Sequence, residues 1–189
     1  MNTTRRSDRP DRPLANTYWV VPGRFLAGEY PGAPYRQAAT EKLRTLLGAG
    51  IDHFIDLTQR RDRLVPYAGL AAQEAGRLGI EVAHEPHPIR DMSLPRSPQE
   101  MADTLDAIDE ALADGRNVYV HCWGGIGRTG TVVGCWLVRH GRTGHGALAQ
   151  IAEWWLDVEK SCIHPVSPHT REQRAYVRHW AEPSREAPA

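Results

Sequence analysis

The sequence predicts a single α/β domain: a mostly parallel central sheet flanked by helices, with a helical C-terminal third. Three observations carry this expectation. Short apolar strand patterns alternate with helical periodicities as far as His121, and no strand pattern follows residue 122. A chain of 189 residues is also long enough for one hydrophobic core and short for two. Hydrophobic residues make up 41% and charged residues 24%, and no apolar run approaches the roughly 18 residues of a membrane span, so a soluble chain is expected. Lys plus Arg and Asp plus Glu number 23 each, a formal net charge of +0. Without a global field, neither nucleic acid nor a membrane surface is expected as a partner, and any anion must be recognised locally. Only Lys42 and Lys160 are lysines, which a composition bias explains as well as function does.

Each element follows from its residues. Tyr18 to Val21 and Arg24 to Ala27 read as two strands around Pro22-Gly23. Pro34 to Leu47 reads as a helix with Leu43, Leu46 and Leu47 on one face, ended by Gly48 and Gly50, and Asp52 to Leu57 as the next strand. Tyr67, Leu70, Ala71 and Leu78 share a helical face before Gly79, and a strand over Ile80 to Glu85 closes at Pro86 and Pro88. Ser97-Pro98-Gln99-Glu100 combines an N-cap, a first-turn proline and a capping-box carboxylate, and Met101, Leu105, Ile108 and Leu112 continue that helix. Asn117 to His121 is a short strand. Thr131 to Arg139 is apolar on nearly every side, as a helix inside a protein would be. Helices over His145 to Lys160 and Pro168 to Trp180 complete a folded domain at 15–181, with Trp154 and Trp155 expected as one core and one rim contact. Residues 1–14 and 182–189 are expected to be disordered tails. Cys122, Cys135 and Cys162 form an odd set without a CxxC pair, which suggests neither a disulfide framework nor a zinc site and fits a reducing, cytoplasmic location.

Between the last strand and the buried helix lies Cys122-Trp123-Gly124-Gly125-Ile126-Gly127-Arg128-Thr129. Three glycines let the backbone curl so that successive N–H groups point inward at the positive end of a helix, a ring that fits a phosphate. Residues 123 to 128 supply that ring. Arg128 can present a two-pronged donor to two phosphate oxygens. Cys122 would lie below the phosphorus, where the amides, the helix end and Arg128 favour its thiolate, the nucleophile. Thr129 can hydrogen-bond the sulfur, and His121 can orient the loop. A thiolate displacing an alkoxide or phenoxide needs a proton donor at the leaving oxygen. Asp91, between a strand and the well-capped helix, lies on the loop-bearing edge where α/β sheets bind ligands.

Through His121 to Thr129, and an Asp about thirty residues upstream, the sequence resembles the cysteine-dependent protein phosphatases, in particular the dual-specificity, kinase-associated phosphatase type. The resemblance implies a protein tyrosine phosphatase-like fold, with 15–181 as the catalytic domain. It makes Cys122 the nucleophile, Arg128 the phosphate clamp, and Asp91 the acid and then the base for water. It implies no metal and no cofactor. The substrate is then a phosphorylated protein or a small aryl phosphate: phosphotyrosine, with phosphoserine and phosphothreonine open. Gln173 resembles the water-positioning Gln of some relatives, although Thr170 to Gln173 also fits a capping box.

Other readings stand beside this one. Gly125 to Gly130 spells a dinucleotide fingerprint, but the second strand that such a site requires is missing. A rhodanese-like sulfurtransferase would also put a cysteine in a loop of amides, and a non-catalytic phosphoprotein-binding module would keep Arg128 and the glycines without needing Cys122 or Asp91. Asp56 is the rival acid, with a structural role beneath the loop, or no role, as its expectation. His84 and His87 fall on opposite strand faces, which argues against a metal pair. Arg60, Arg61 and Arg63 fit a solvated loop or a cleft facing a phosphorylated partner. Cys135 is expected to be an inert buried thiol.

Overall fold

A computed structural model describes residues 11–183 of the chain. The two predicted N-terminal strands form a hairpin, β1 (Thr17–Val21) and β2 (Phe25–Gly28), turned at Gly23 with its φ of 71°. Three further strands, β3 (His53–Asp56), β4 (Ala83–Pro86) and β5 (Val118–His121), complete a sheet of order β1-β2-β5-β3-β4. Only β1 runs antiparallel to its neighbour; β2, β5, β3 and β4 are parallel. A parallel sheet needs crossovers, and the helical periodicities supply them.

Period-two alternation sorts the strand residues onto two faces. Phe25, Ala27, Ile55, Val118 and Val120 pack with α3 (Pro98–Ala113), α4 (Gly127–Arg139), α5 (Gly144–Trp155) and α6 (Arg171–Arg178). Leu26, Phe54 and Tyr119 pack with α1 (Arg36–Gly48) and α2 (Ala68–Arg77). Every residue of α4 from Arg128 to Leu137 is buried, as its all-round apolarity predicts. Gly134 lets α6 approach, since a Cβ there would stand 2.6 Å from Val177 Cγ1.

Several boundaries shift. Helix α4 opens at Gly127, so the glycine-rich turn expected to lead into it supplies its first helical turn. The long helix expected to reach Lys160 ends at Trp155 and is followed by a separate turn, Glu159–Cys162; the last helix and β4 are likewise shorter than expected. Trp154 and Trp155 are both buried, at 7% and 2% exposure, so neither is a rim residue. Tyr18 explains why: it stacks on Trp154 at 5.8 Å and meets Trp155 edge-on at 6.4 Å, so β1 covers both rings. At α3, Ser97 Oγ accepts Glu100 N as expected, but the Glu100 carboxylate accepts from Arg96 N at 2.8 Å instead of closing the capping box on Ser97. The expected tails lie largely outside the described residues; within them, Leu14 O accepts the Thr17 amide and hydroxyl, and Glu182 pairs with Arg139. Among the described residues no helix is long and apolar enough to cross a membrane.

Candidate active site

The parallel register brings the carboxyl ends of three strands together. Gly28 and Asp56 both pair with His121, the residue before Cys122. From that edge the 122–128 loop curls back over β2, and two glycines make this possible. Gly125 has φ 73°, and a Cβ on it would lie 2.6 Å from Gly28 C; a Cβ on Gly28 would meet Tyr119 Oη at 2.7 Å.

The loop's carbonyls are drawn outward by residues that surround it. Trp123 O accepts from Tyr30 N at 3.0 Å, Gly124 O from Lys160 Nζ at 3.3 Å, and Ile126 O from Ser167 Oγ at 2.9 Å. In a trans peptide C=O and N–H point oppositely, so these contacts turn the amides of Gly124, Gly125 and Gly127 inward. Among the described residues, no protein acceptor takes an amide from Trp123 to Arg128. Lys160 is itself held by Glu29 at 2.6 Å, and Lys42 meets the same carboxylate at 2.8 Å. Burial alone would raise the pKa of Glu29, but the two lysines outweigh it and leave it lowered. Both lysines of the chain thus serve one carboxylate beside the loop.

Arg128 is 1% exposed and is divided into two edges. Its Nη1 donates to Asp62 Oδ2 at 2.6 Å, to Ile89 O at 3.1 Å and to Leu57 O at 3.3 Å. Its Nε and Nη2 are buried with no hydrogen-bond acceptor among the described residues; Asp91 Oδ1 lies 3.1 Å from Nη2, an ion-pair distance without hydrogen-bond alignment. Burial would lower the arginine's pKa, yet the charges of Cys122 and Asp62 more than offset it and leave it raised. An arginine edge without hydrogen bonds has the shape to meet two oxygens of an oxyanion.

Cys122 is 3% exposed at the end of β5. Beneath it, His121 Nε2 is 2.6 Å from the Tyr67 hydroxyl, and its Nδ1 lies 3.8 Å from Asp56. Complete burial pulls the His121 pKa down to about 4 against the pull of Asp56, so the ring is neutral near pH 7. Asp56 is taken up by its neighbours: it accepts from Thr58 N at 2.8 Å and lies 3.2 Å from His84 Nε2. Burial opposes its charge, but these partners win and lower its pKa to about 2. Asp91 is half exposed beside Arg128, followed by Met92 in a left-handed conformation at φ 57°.

Other predicted residues fall as follows. The Thr129 hydroxyl turns to Gly28 O at 3.4 Å. Gln173 is fully buried; its Oε1 caps Thr170 N at 3.0 Å and its Nε2 donates to Ser93 O at 3.0 Å, with its amide against Gly127. It thereby ties the Asp91 loop to the cysteine loop while also closing the capping box. Trp123 is half exposed at the rim and Ile126 is buried. His84 and His87 diverge, to Asp56 and to Thr104, and no cluster of metal-binding side chains occurs among the described residues. Cys122, Cys135 and Cys162 are all free thiols. Sequence reasoning passed over Asp62, which lies inside the arginine run 60–63 as its one carboxylate, and over Glu29, Tyr67 and Ser167, for which no local signal exists.

A buried cysteine directly after the central strand of a mostly parallel sheet, followed by a glycine-rich loop and a buried arginine with a carboxylate beside it, is an arrangement of the protein tyrosine phosphatase class of architecture. The chain belongs to the family described as Tc-R-P, polymorphic toxin system, DSP-PTPase phosphatase, whose sequence pattern matches residues 31–142, more than half of it. It is 28% identical over 123 residues to protein 067L of Invertebrate iridescent virus 3, named as a candidate tyrosine phosphatase; the match covers 63% of this chain and 44% of the viral protein, so the chain spans less than half of that relative. The fold is similar to Tk-PTP in its active form (TM-score 0.61, 24% identity, 86% of this chain and 92% of that one). It is also similar to the kinase associated phosphatase (0.61, 18%, 81% and 83%) and to P. aeruginosa TpbA solved with phosphotyrosine (0.60, 16%, 92% and 91%).

Proposed function

We propose that this protein is a metal-independent cysteine phosphatase that hydrolyses phosphotyrosine, with phosphoserine and phosphothreonine as further substrates. One observation carries the reading: in the loop that follows Cys122, the amides of residues 123 to 128 have no protein acceptor among the described residues, and buried Arg128 keeps one edge without a hydrogen bond, facing only the Asp91 carboxylate. Such donors cost nothing to reorganise when a tetrahedral dianion arrives. Trp123 at the rim suits an aryl group, and a protein of this fold was solved with phosphotyrosine.

In the first step the Cys122 thiolate forms a bond to phosphorus, the ester P–O bond breaks, and protonated Asp91 gives its proton to the leaving oxygen. The incoming phosphate takes over the free edge of Arg128, releasing Asp91 from its ion pair. In the second step Asp91 removes a proton from water as the water oxygen bonds to phosphorus and the P–S bond breaks, which regenerates the thiolate and releases phosphate. Arg128 and the loop amides hold the equatorial oxygens throughout. Gln173 contributes by holding the Asp91 loop against Gly127. The protein acts in the cytoplasm on phosphorylated proteins.

Hydrolysis of p-nitrophenyl phosphate tests this. Cys122→Ser abolishes turnover, while Asp91→Asn slows it and still forms the phosphocysteine, seen as a burst of nitrophenol. Full activity in Cys122→Ser overturns the mechanism.

A further inference from the structure

The cradle itself carries no basic side chain besides Arg128, since residues 123 to 127 are Trp, Gly, Gly, Ile and Gly. The loops around it are different. Arg60, Arg61 and Arg63 flank Asp62, the residue bonded to Arg128, and Arg90 precedes Asp91, the other carboxylate beside Arg128. All four arginines are exposed, and among the described residues none forms an ion pair or a side-chain hydrogen bond. Most arginines elsewhere are occupied: Arg44 and Arg77 hold Glu74, Arg116 holds Asp52, Arg139 holds Asp106 and Asp109, and Arg96 holds Glu100. In a chain of zero formal charge, four such cations gathered on the two loops that touch Arg128 form a local field with no partner among the described residues.

We propose that these arginines select the substrate: an acidic segment of a phosphoprotein, with Asp or Glu within a few residues of the phosphorylated side chain. This rests on the phosphatase reading and names the substrate class of the same site. The placement favours a peptide over an inositol lipid. A second phosphate on one sugar ring would sit inside the cradle, where no further cation is offered, whereas an extended peptide advances about 3.3 Å per residue and carries its flanking charges out to the rim. Half-exposed Met92 and Trp123, next to Asp91 and Cys122, provide apolar contact for the same segment.

The test compares two phosphotyrosine peptides of one sequence, one with Asp and Glu flanking the phosphoresidue and one with Asn and Gln in their place. Three exposed ion pairs predict about a tenfold preference in kcat/KM for the acidic peptide at low salt, shrinking in about 0.5 M NaCl. In Arg60→Gln/Arg61→Gln/Arg63→Gln the ratio falls to within about twofold of unity. Binding of both peptides to Cys122→Ser, followed by fluorescence anisotropy, reads the same preference without turnover. Equal treatment of the peptides by the unaltered enzyme, or a preference that survives the triple substitution, overturns the proposal, as does faster release of phosphate from a soluble phosphoinositide than from the acidic peptide. Failure of the unaltered enzyme on p-nitrophenyl phosphate would instead overturn the phosphatase reading, and the anisotropy ratio would still decide the role of the arginines.

Discussion

Asp62→Asn probes how the phosphate clamp is aimed. The Asp62–Arg128 pair is short, at 2.6 Å, and its side chains are only 6% and 1% exposed. Removing one partner of a buried pair outright costs about 3–5 kcal/mol. Asparagine costs less, because its carbonyl still accepts from Nη1 and the Ile89 and Leu57 carbonyls remain. The change is from a charge-assisted to a neutral hydrogen bond, about 1–2 kcal/mol of stability. The effect on turnover is expected to be larger in proportion. With its Nη1 edge held less firmly, the guanidinium no longer presents Nε and Nη2 at a fixed angle, and a misplacement near 1 Å costs up to about a hundredfold in rate. Urea unfolding gives the first quantity; kcat/KM on p-nitrophenyl phosphate and inhibition by vanadate give the second. If Asp62→Asn binds vanadate and turns over substrate within twofold of the unaltered enzyme, Asp62 does not aim the clamp, and the carbonyls of Leu57 and Ile89 suffice.

Gly125→Ala forces a left-handed residue to carry a Cβ 2.6 Å from the Gly28 backbone; the expected loss is about 2–4 kcal/mol of stability together with vanadate binding, read by thermal unfolding and inhibition. Lys160→Met frees the Gly124 carbonyl and leaves Glu29 with Lys42 and the Asn16 amide, so kcat/KM should fall about tenfold while stability, measured in urea, changes far less. His121 titrates near 6.5 when unfolded and about 4 when folded, so between those values only the unfolded chain takes up the proton. Stability should therefore fall by up to about 3 kcal/mol as pH drops from 6.5 to 4 and then level off for this group, a slope that His121→Gln removes from urea unfolding curves.

Cys122, the loop amides and Arg128, the residues to which the proposed function gives the chemistry, stand out in the sequence because they are contiguous: one strand end, one turn and one helix start carry them in eight residues. The alternation of strands and helices puts that turn at the carboxyl edge of the sheet, and the search for an acid on a neighbouring loop singles out Asp91, which the structure brings to 3.1 Å from Arg128 Nη2. What holds the cradle was not readable. Asp62 and Arg128 are 66 residues apart, Tyr67 and His121 are 54 apart, and Lys160 and Gly124 are 36 apart. Each is an ordinary residue in its own segment and acquires its role only through the sheet register.

Lysine scarcity shows the difference between a compositional fact and a physical one. Two lysines among 23 basic residues carry no information by themselves, yet both end on Glu29. The reason lies in the geometry that Lys160 must satisfy. Its ammonium serves a carboxylate at 2.6 Å and a peptide carbonyl at 3.3 Å, two acceptors in different directions around one point charge. A tetrahedral group with three rotatable donors can do this, whereas a planar fork is shaped for two oxygens side by side. That second requirement is the one Arg128 meets on its free edge. The cradle thus uses each cation where its shape applies: the fork toward the incoming oxyanion, the ammonium behind the loop, pulling a carbonyl away so that the next amide faces inward. A motif names only the first, because the second depends on a turn that folds against the loop from the far end of the chain.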